Sequence, residues 1–208
     1  MTNALITTLT PIIAAITVLF LKEYSKALTC SLLGDTTIKE EGRLSLNPFK
    51  YIEPIGLILL INFGTLGWGR PVETKKYRYK KPREAIIIAA IVPLLTLLST
   101  GVLAAYLINM TITTTNIYVS FFLATFLFSV MSFSFGLLVV NLIVPLFPFE
   151  ASGILKSFIS PNQAINFGLN EKTYLFMLVL LFFMLGGTVN RFFHEIVMNM
   201  MSFFINIF

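Results

Sequence analysis

Long uncharged apolar runs, separated by short polar stretches, dominate the 208 residues of this chain. A transmembrane helix needs about 20 apolar residues to cross the hydrocarbon core of a bilayer. We assign candidate spans to 4–33, 85–110, 117–146 and 173–190. The first of these assumes that the helix continues beyond its uncharged part, which ends before Lys22. The pattern therefore predicts an all-α integral membrane protein with about four transmembrane helices in a single membrane domain, 1–208.

A further apolar run, 55–68, is too short to cross the bilayer as a straight helix. Its 14 residues would span only about 21 Å at the helical rise per residue. Gly56, Gly64 and Gly67 also lie within it. We interpret 53–68 as a re-entrant hairpin, whose loose backbone must be covered by the other helices. A tilted short span is the alternative.

The composition agrees with a membrane protein, since 56% of the residues are apolar, 12% are charged and the mean hydropathy is +0.85. A soluble domain usually has about 25% charged residues. The lone cysteine, Cys30, excludes an internal disulfide, and the lone histidine, His194, excludes a multi-histidine metal site. Nothing basic precedes the first apolar run, so we expect no cleavable signal sequence.

Basic residues are concentrated in the loop 70–83, where Glu73 is the single acid. The basic residues are Arg70, Lys75, Lys76, Arg78, Lys80, Lys81 and Arg83. The positive-inside rule places this loop on the cytoplasmic side. We expect it to contact anionic lipid or partner proteins at the membrane surface, and we expect no nucleic-acid binding.

The tail 191–208 is amphipathic, with Arg191, His194 and Glu195 among phenylalanines and methionines. Three interpretations stay open from the sequence. The tail could be a helix at the membrane interface, a continuation of the last span, or a docking surface for a neighbouring protein.

Three charged residues, Lys22, Glu23 and Lys26, follow the first uncharged run. Lys22 and Lys26 are four residues apart and share one helical face, and Glu23 lies next to that face. Ionisable groups inside a span are costly and usually paired. The alternative is that all three side chains snorkel to the cytoplasmic interface.

Several short sequence motifs are distributed along nearly the whole chain. They are 22–27 (Lys-Glu-Tyr-Ser-Lys-Ala), 33–35 (Leu-Gly-Asp), 42–48 (Gly-Arg-Leu-Ser-Leu-Asn-Pro), 52–56 (Ile-Glu-Pro-Ile-Gly), 67–72 (Gly-Trp-Gly-Arg-Pro-Val), Pro145, Pro148, Glu150, Ile154 and Leu155. Together they resemble the short bacterial site-2 protease family of intramembrane zinc metalloproteases. The resemblance implies a site-2-protease-like core in a bacterial cytoplasmic membrane.

Members of that family bind zinc through the two histidines of an HExxH motif, whose glutamate activates the metal-bound water. A later aspartate is the third ligand. The resemblance implies that Lys22 and Lys26 stand at the histidine positions, Glu23 at the catalytic glutamate and Glu150 at the aspartate. The chain also departs from the family pattern at Val92, Thr96, Ala151 and Ser152.

The lysines at positions 22 and 26 argue against zinc chemistry, because a lysine ammonium group has no lone pair to offer a metal. We expect no metal, no cofactor and no zinc-protease activity. By charge counting, Lys22 and Lys26 would replace the two positive charges of zinc opposite Glu23 and Glu150. We predict a buried neutral cluster of these four residues that ties the first span to the turn 145–150. The alternative is that the four groups face water in an emptied cleft.

The sequence thus predicts a catalytically inactive, site-2-protease-like structural or regulatory subunit that binds other membrane proteins in a hetero-oligomeric complex. Two alternatives stay open. One is an ion or proton pathway through Lys22, Glu23, Lys26 and Glu150, because intramembrane ionisable residues also mark transport routes. The other is a zinc-independent residual intramembrane hydrolase that uses Glu23 with a lysine of lowered pKa.

Overall fold

A computed structural model describes residues 2–73, 78–111, 117–160, 163, 168–184 and 186–208. The structure is 80% helical, and the described residues contain no strand. This confirms the prediction of an all-α membrane protein. The elements are α1 (Thr2–Leu32), α2 (Thr37–Glu40), a 3-10 helix (Pro48–Tyr51), α3 (Pro54–Phe63), α4 (Pro82–Thr111), α5 (Ile117–Ile143), α6 (Glu150–Phe158), α7 (Glu171–Met184) and α8 (Gly186–Ile207).

Three of the described helices are long and apolar enough to cross a membrane, namely Leu5–Leu32, Pro82–Met110 and Tyr118–Ile143. These segments of α1, α4 and α5 pack against one another and form the centre of the bundle. In contrast, α7 has 14 residues and is too short by the same measure. The fourth span over 173–190 therefore stays a prediction.

The predicted hairpin folds as α3 followed by an extended segment that returns along it. Gly64 ends α3 with a φ of +73°, a left-handed conformation that glycine adopts at no steric cost. A Cβ on Gly56 would overlap the backbone of Trp68, and one on Gly67 would lie 2.7 Å from the Gly56 carbonyl oxygen. Helix and return segment are thus in backbone contact, which requires glycine at both positions. Their depth in the bilayer stays a prediction.

Neighbouring helices cover this hairpin. At its tip, a Cβ added to Gly136 of α5 would overlap the Gly64 carbonyl oxygen. Beside the tip, the Phe63 ring contacts Phe182 and Phe183 of α7, at centroid distances of 6.0 and 5.6 Å. The irregular backbone after α3 is therefore packed against protein, as a membrane interior requires.

Side-chain caps fix the chain where it enters the 3-10 helix and α3. The Asn47 side chain accepts a hydrogen bond from the Phe49 N–H at 3.0 Å, and the Glu53 carboxylate accepts one from the Gly56 N–H at 2.7 Å. Each cap is followed by a proline at the first helical position, where no N–H is needed. These caps hold the start of the hairpin in place.

The amphipathic tail forms most of α8, which packs on α4 and α5. Its apolar stripe, Phe193, Val197 and Met201, is buried in the main core. The Phe204 ring stacks on Phe135 of α5 at a centroid distance of 5.4 Å. The tail thus packs within the bundle, with the charged residues 191, 194 and 195 on the exposed side, an arrangement that none of the three interpretations from the sequence describes.

The basic loop is described in part, because Lys75 and Lys76 lie outside the described residues. Its other basic side chains are exposed, namely Arg70, Arg78, Lys80, Lys81 and Arg83. The Arg83 guanidinium carbon lies 4.5 Å from the centroid of the Phe158 ring, a cation–π contact between the start of α4 and the end of α6.

Candidate functional site

The structure brings together the four charged residues singled out in the sequence. Lys22, Glu23 and Lys26 lie on α1, and Glu150 is the first residue of α6. The Lys22 Nζ atom is 2.7 Å from Glu23 Oε1 and 3.2 Å from Glu150 Oε1. The Lys26 Nζ atom is 2.8 Å from Glu150 Oε2. Glu150 thus bridges both lysines, of which Lys26 lies 124 residues before it in the sequence.

All four side chains are removed from solvent to a large extent. Lys22, Glu23 and Glu150 are 1–2% exposed, and Lys26 is 14% exposed. Lys22 and Glu23 are thus buried in the protein and do not snorkel to the interface. The four groups also do not all face water in an emptied cleft. Two ammonium groups face two carboxylates, so the cluster, which we call the Lys–Glu cluster, is formally neutral.

Asn141 of α5 positions Glu150, a role that the sequence analysis missed. Its side-chain oxygen accepts a hydrogen bond from the Glu150 N–H at 3.2 Å, and its amide group donates to the Leu137 carbonyl at 2.7 Å. Asn141 is 1% exposed. The available signal was the single amide side chain of α5, a helix whose other polar side chains are hydroxyl or phenol groups; it lies nine residues before Glu150.

The return segment of the hairpin passes directly over Glu23. The Arg70 N–H donates to the Tyr51 carbonyl at 2.7 Å. A Cβ on Gly69 would lie 2.7 Å from that carbonyl oxygen and 2.8 Å from Glu23 Cγ, so glycine is what permits the close approach. The Glu23 Oε2 atom is buried and has no hydrogen-bond partner among the described residues.

Electrostatics favour the ionised form of Glu150. Burial by itself would raise the pKa of this carboxyl group, but the ammonium groups of Lys26 and Lys22 outweigh burial and hold the pKa below its ordinary value of 4.5. The carboxylate therefore keeps its charge and its two ion pairs at neutral pH.

This donor set does not fit a zinc ion. Zinc in proteins is held by imidazole, thiolate or carboxylate groups, and structural or catalytic sites use at least three of them. Here the Lys22 and Lys26 ammonium groups lie against the carboxylates of Glu23 and Glu150, the two residues that could serve as ligands. A metal would have to displace both lysines from a buried site. The described residues also contain no group of three or more His, Cys, Asp or Glu side chains that could hold a metal.

A half-enclosed cleft of about 350 Å³ opens beside the Lys–Glu cluster. Lys26 is the member of the cluster that reaches it. Other walls come from Val72, Phe147 and Lys156, and Gly153 of α6 lies open to the cleft, since a Cβ there would meet nothing within 4 Å.

The two lone residues of metal-binding type do not join this site. Cys30 is fully buried in a small core with Ile38 and Tyr51. His194 is exposed on α8. The described basic residues of the loop 70–83 also lie outside the Lys–Glu cluster.

The sequence is locally similar to a curated bacterial protein. Over 69 residues, which are 33% of this chain, it is 41% identical to a Bacillus subtilis (strain 168) protein described as "Putative zinc metalloprotease YwhC". The chain covers 31% of the length of that relative. The match supports a site-2-protease-like relationship. No protein-family profile matches the chain, and no solved structure matches it.

Proposed function

We propose that this chain is a catalytically inactive, site-2-protease-like membrane protein that acts as a structural or regulatory subunit by binding other membrane proteins. The observation that carries the proposal is the Lys–Glu cluster, in which lysines engage both carboxylates that zinc-dependent hydrolysis would need. We place the protein in a bacterial cytoplasmic membrane, with the loop 70–83 on the cytoplasmic side.

Inactivity follows from what each group in the cluster can do. The Glu23 carboxylate would have to take a proton from an activated water, but its Oε1 atom lies 2.7 Å from the Lys22 ammonium group. Lys22 and Lys26 cannot activate water as a zinc ion does, because protonated amines offer no coordination. Deprotonating them beside two carboxylates would work against the attraction that stabilises the charged forms.

A binding role is supported by a contrast between two groups of residues, the glycines that shape the hairpin and the residues at the metal-ligand positions. Gly56, Gly67 and Gly69 allow backbone contacts that shape the hairpin, whereas lysines occupy the positions of the metal ligands. A scaffold with an open cleft next to Lys26 is therefore present without the chemistry. Such a cleft suits a segment of a partner membrane protein that is held and not cut.

Filling the cleft tests this role. Gly153→Leu would project a side chain into open space in the cleft, and Gly187→Leu is a matched control in α8, where a Cβ also meets nothing within 4 Å. We expect wild-type protein and Gly187→Leu, isolated from native membranes, to carry the same partner at fixed stoichiometry. Gly153→Leu should lose that partner while remaining folded. A homogeneous monomer from wild-type membranes would contradict the proposal.

Zinc-independent hydrolysis is the second candidate. The observation that favours it is the Oε2 atom of Glu23, which has no hydrogen-bond partner within the described part of the chain. A transmembrane-peptide cleavage assay with a metal chelator separates the two candidates. The inactive-subunit proposal predicts that wild-type protein cleaves no faster than Glu23→Gln. Chelator-resistant cleavage that disappears in Glu23→Gln would favour the hydrolase.

A further inference from the structure

A second pocket, of about 350 Å³, lies between the end of α1 and the start of α4. We call it the α1–α4 pocket. Leu33 and Ala85 contribute apolar surface to its wall. Its charged lining consists of three cations and one carboxylate, namely Arg78, Lys80, Lys81 and Glu84.

The charges of this pocket favour an anion. The single carboxylate in the lining, Glu84, is 3.3 Å from the Lys81 Nζ atom. That pair is exposed, so water and salt weaken it. A second carboxylate, that of the buried Asp35, interacts with Tyr79 of the lining, so three cations face two carboxylates and the surroundings keep a positive formal charge. Because the pocket lies at the first turn of α4, the positive end of the helix dipole adds to the same potential. A phosphate group with a negative charge matches this lining.

The depth of the pocket indicates which phosphate it meets. The apolar span of α1 ends at Leu32, and that of α4 begins at Pro82. The lining residues follow the first of these ends and flank the second. Ends of spanning helices lie at the level of the lipid headgroups, where basic residues attract anionic lipids.

We infer that the α1–α4 pocket binds the phosphate-bearing headgroup of an anionic membrane lipid. The basic loop alone predicts contact with anionic lipid only somewhere at the membrane surface. The pocket gives that contact a defined site. The inference is independent of the Lys–Glu cluster and of the proposed inactivity, since it uses none of those residues.

Native mass spectrometry of the intact protein in a neutral detergent tests the inference. The probes are short-chain phosphatidylglycerol, short-chain phosphatidylcholine and inorganic phosphate, each titrated separately. The pocket variants are Arg78→Gln, Lys80→Gln and the double substitution. The control carries Lys172→Gln and Arg191→Gln, which remove two exposed charges elsewhere.

We expect phosphatidylglycerol to bind more tightly than either other probe. Each pocket substitution should weaken its affinity about fivefold, and the double substitution about 25-fold. The control should stay within about twofold of wild type. A loss in the control equal to that in the pocket variants would overturn the inference in favour of diffuse attraction. Equal binding of phosphatidylcholine, or of inorganic phosphate, would overturn the assignment to an anionic lipid.

Discussion

Replacing Glu150 with glutamine perturbs the Lys–Glu cluster at its centre. The substitution keeps the size of the side chain but removes the charge that lies 2.8 Å from Lys26 Nζ and 3.2 Å from Lys22 Nζ. The buried cluster would change from neutral to one excess positive charge. Removing one partner of a buried ion pair typically costs about 3–5 kcal/mol. We expect the lower end, about 3 kcal/mol, because glutamine retains a carbonyl oxygen that accepts hydrogen bonds.

The single tryptophan makes this change measurable at the site itself. The Trp68 ring lies edge-on to the ring of Phe149, the residue before Glu150, at a centroid distance of 6.3 Å. Its fluorescence should therefore follow the opening of the turn during thermal unfolding in a fixed detergent. A loss of about 3 kcal/mol corresponds to a Tm lower by about 6–12 °C for a chain of this size.

Two further variants decide whether the loss comes from the cluster. Glu195→Gln removes an exposed carboxylate on α8 and should change the free energy of unfolding by less than about 0.5 kcal/mol. Adding Lys26→Gln to Glu150→Gln restores neutrality, so the double variant should lose less stability than the sum of the two single losses. The reasoning would be refuted if the stability losses of Lys26→Gln and Glu150→Gln added up in the double variant and if Glu150→Gln lost no more stability than Glu195→Gln.

The remaining predictions concern pH, the hairpin and its cap. Because the pKa of Glu150 lies below 4.5 in the folded protein, its ion pairs stabilise the fold above pH 4.5, and this contribution is lost as the pH falls through the folded-state pKa. The Tm of wild type should therefore drop in this acidic range more than that of Glu150→Gln, and parallel curves would contradict this. Gly56→Ala would force a methyl group into the Trp68 backbone and should cost about 1–3 kcal/mol, whereas Gly153→Ala, in open space, should be neutral or stabilising in the same thermal melt. Glu53→Ala removes the cap of α3 and should cost about 1 kcal/mol, and an unchanged Tm would show that the cap is dispensable.

Local spacing and charge balance in the sequence by themselves indicate much of the site. Lys22 and Lys26 are one helical turn apart, so their common direction follows from helix geometry. Their meeting with Glu150 depends on how α1 and α6 pack, which no local pattern encodes. The prediction that the two lysines meet Glu150 came from the resemblance to a metalloprotease family, together with the count of two positive and two negative charges.

Other features could not be derived from the sequence pattern. The stripe of Phe193, Val197 and Met201 is equally suited to lipid and to a protein core, so the pattern left the position of the tail open. Similarly, glycines in the run 55–68 indicate a bend or a close approach, but they do not identify what approaches. The contact of Gly69 with Glu23 depends on tertiary packing alone.

The metal content of the intact protein, purified from native membranes and measured with and without added zinc, shows whether the Lys–Glu cluster excludes a metal ion. We expect no stoichiometric zinc in wild type. We expect about one zinc ion per chain in the combined variant Lys22→His, Lys26→His and Glu150→Asp, which carries the ligand types of the family that the chain resembles. Tightly bound zinc in the wild-type protein, absent from Glu150→Gln, would contradict the exclusion of zinc by the cluster.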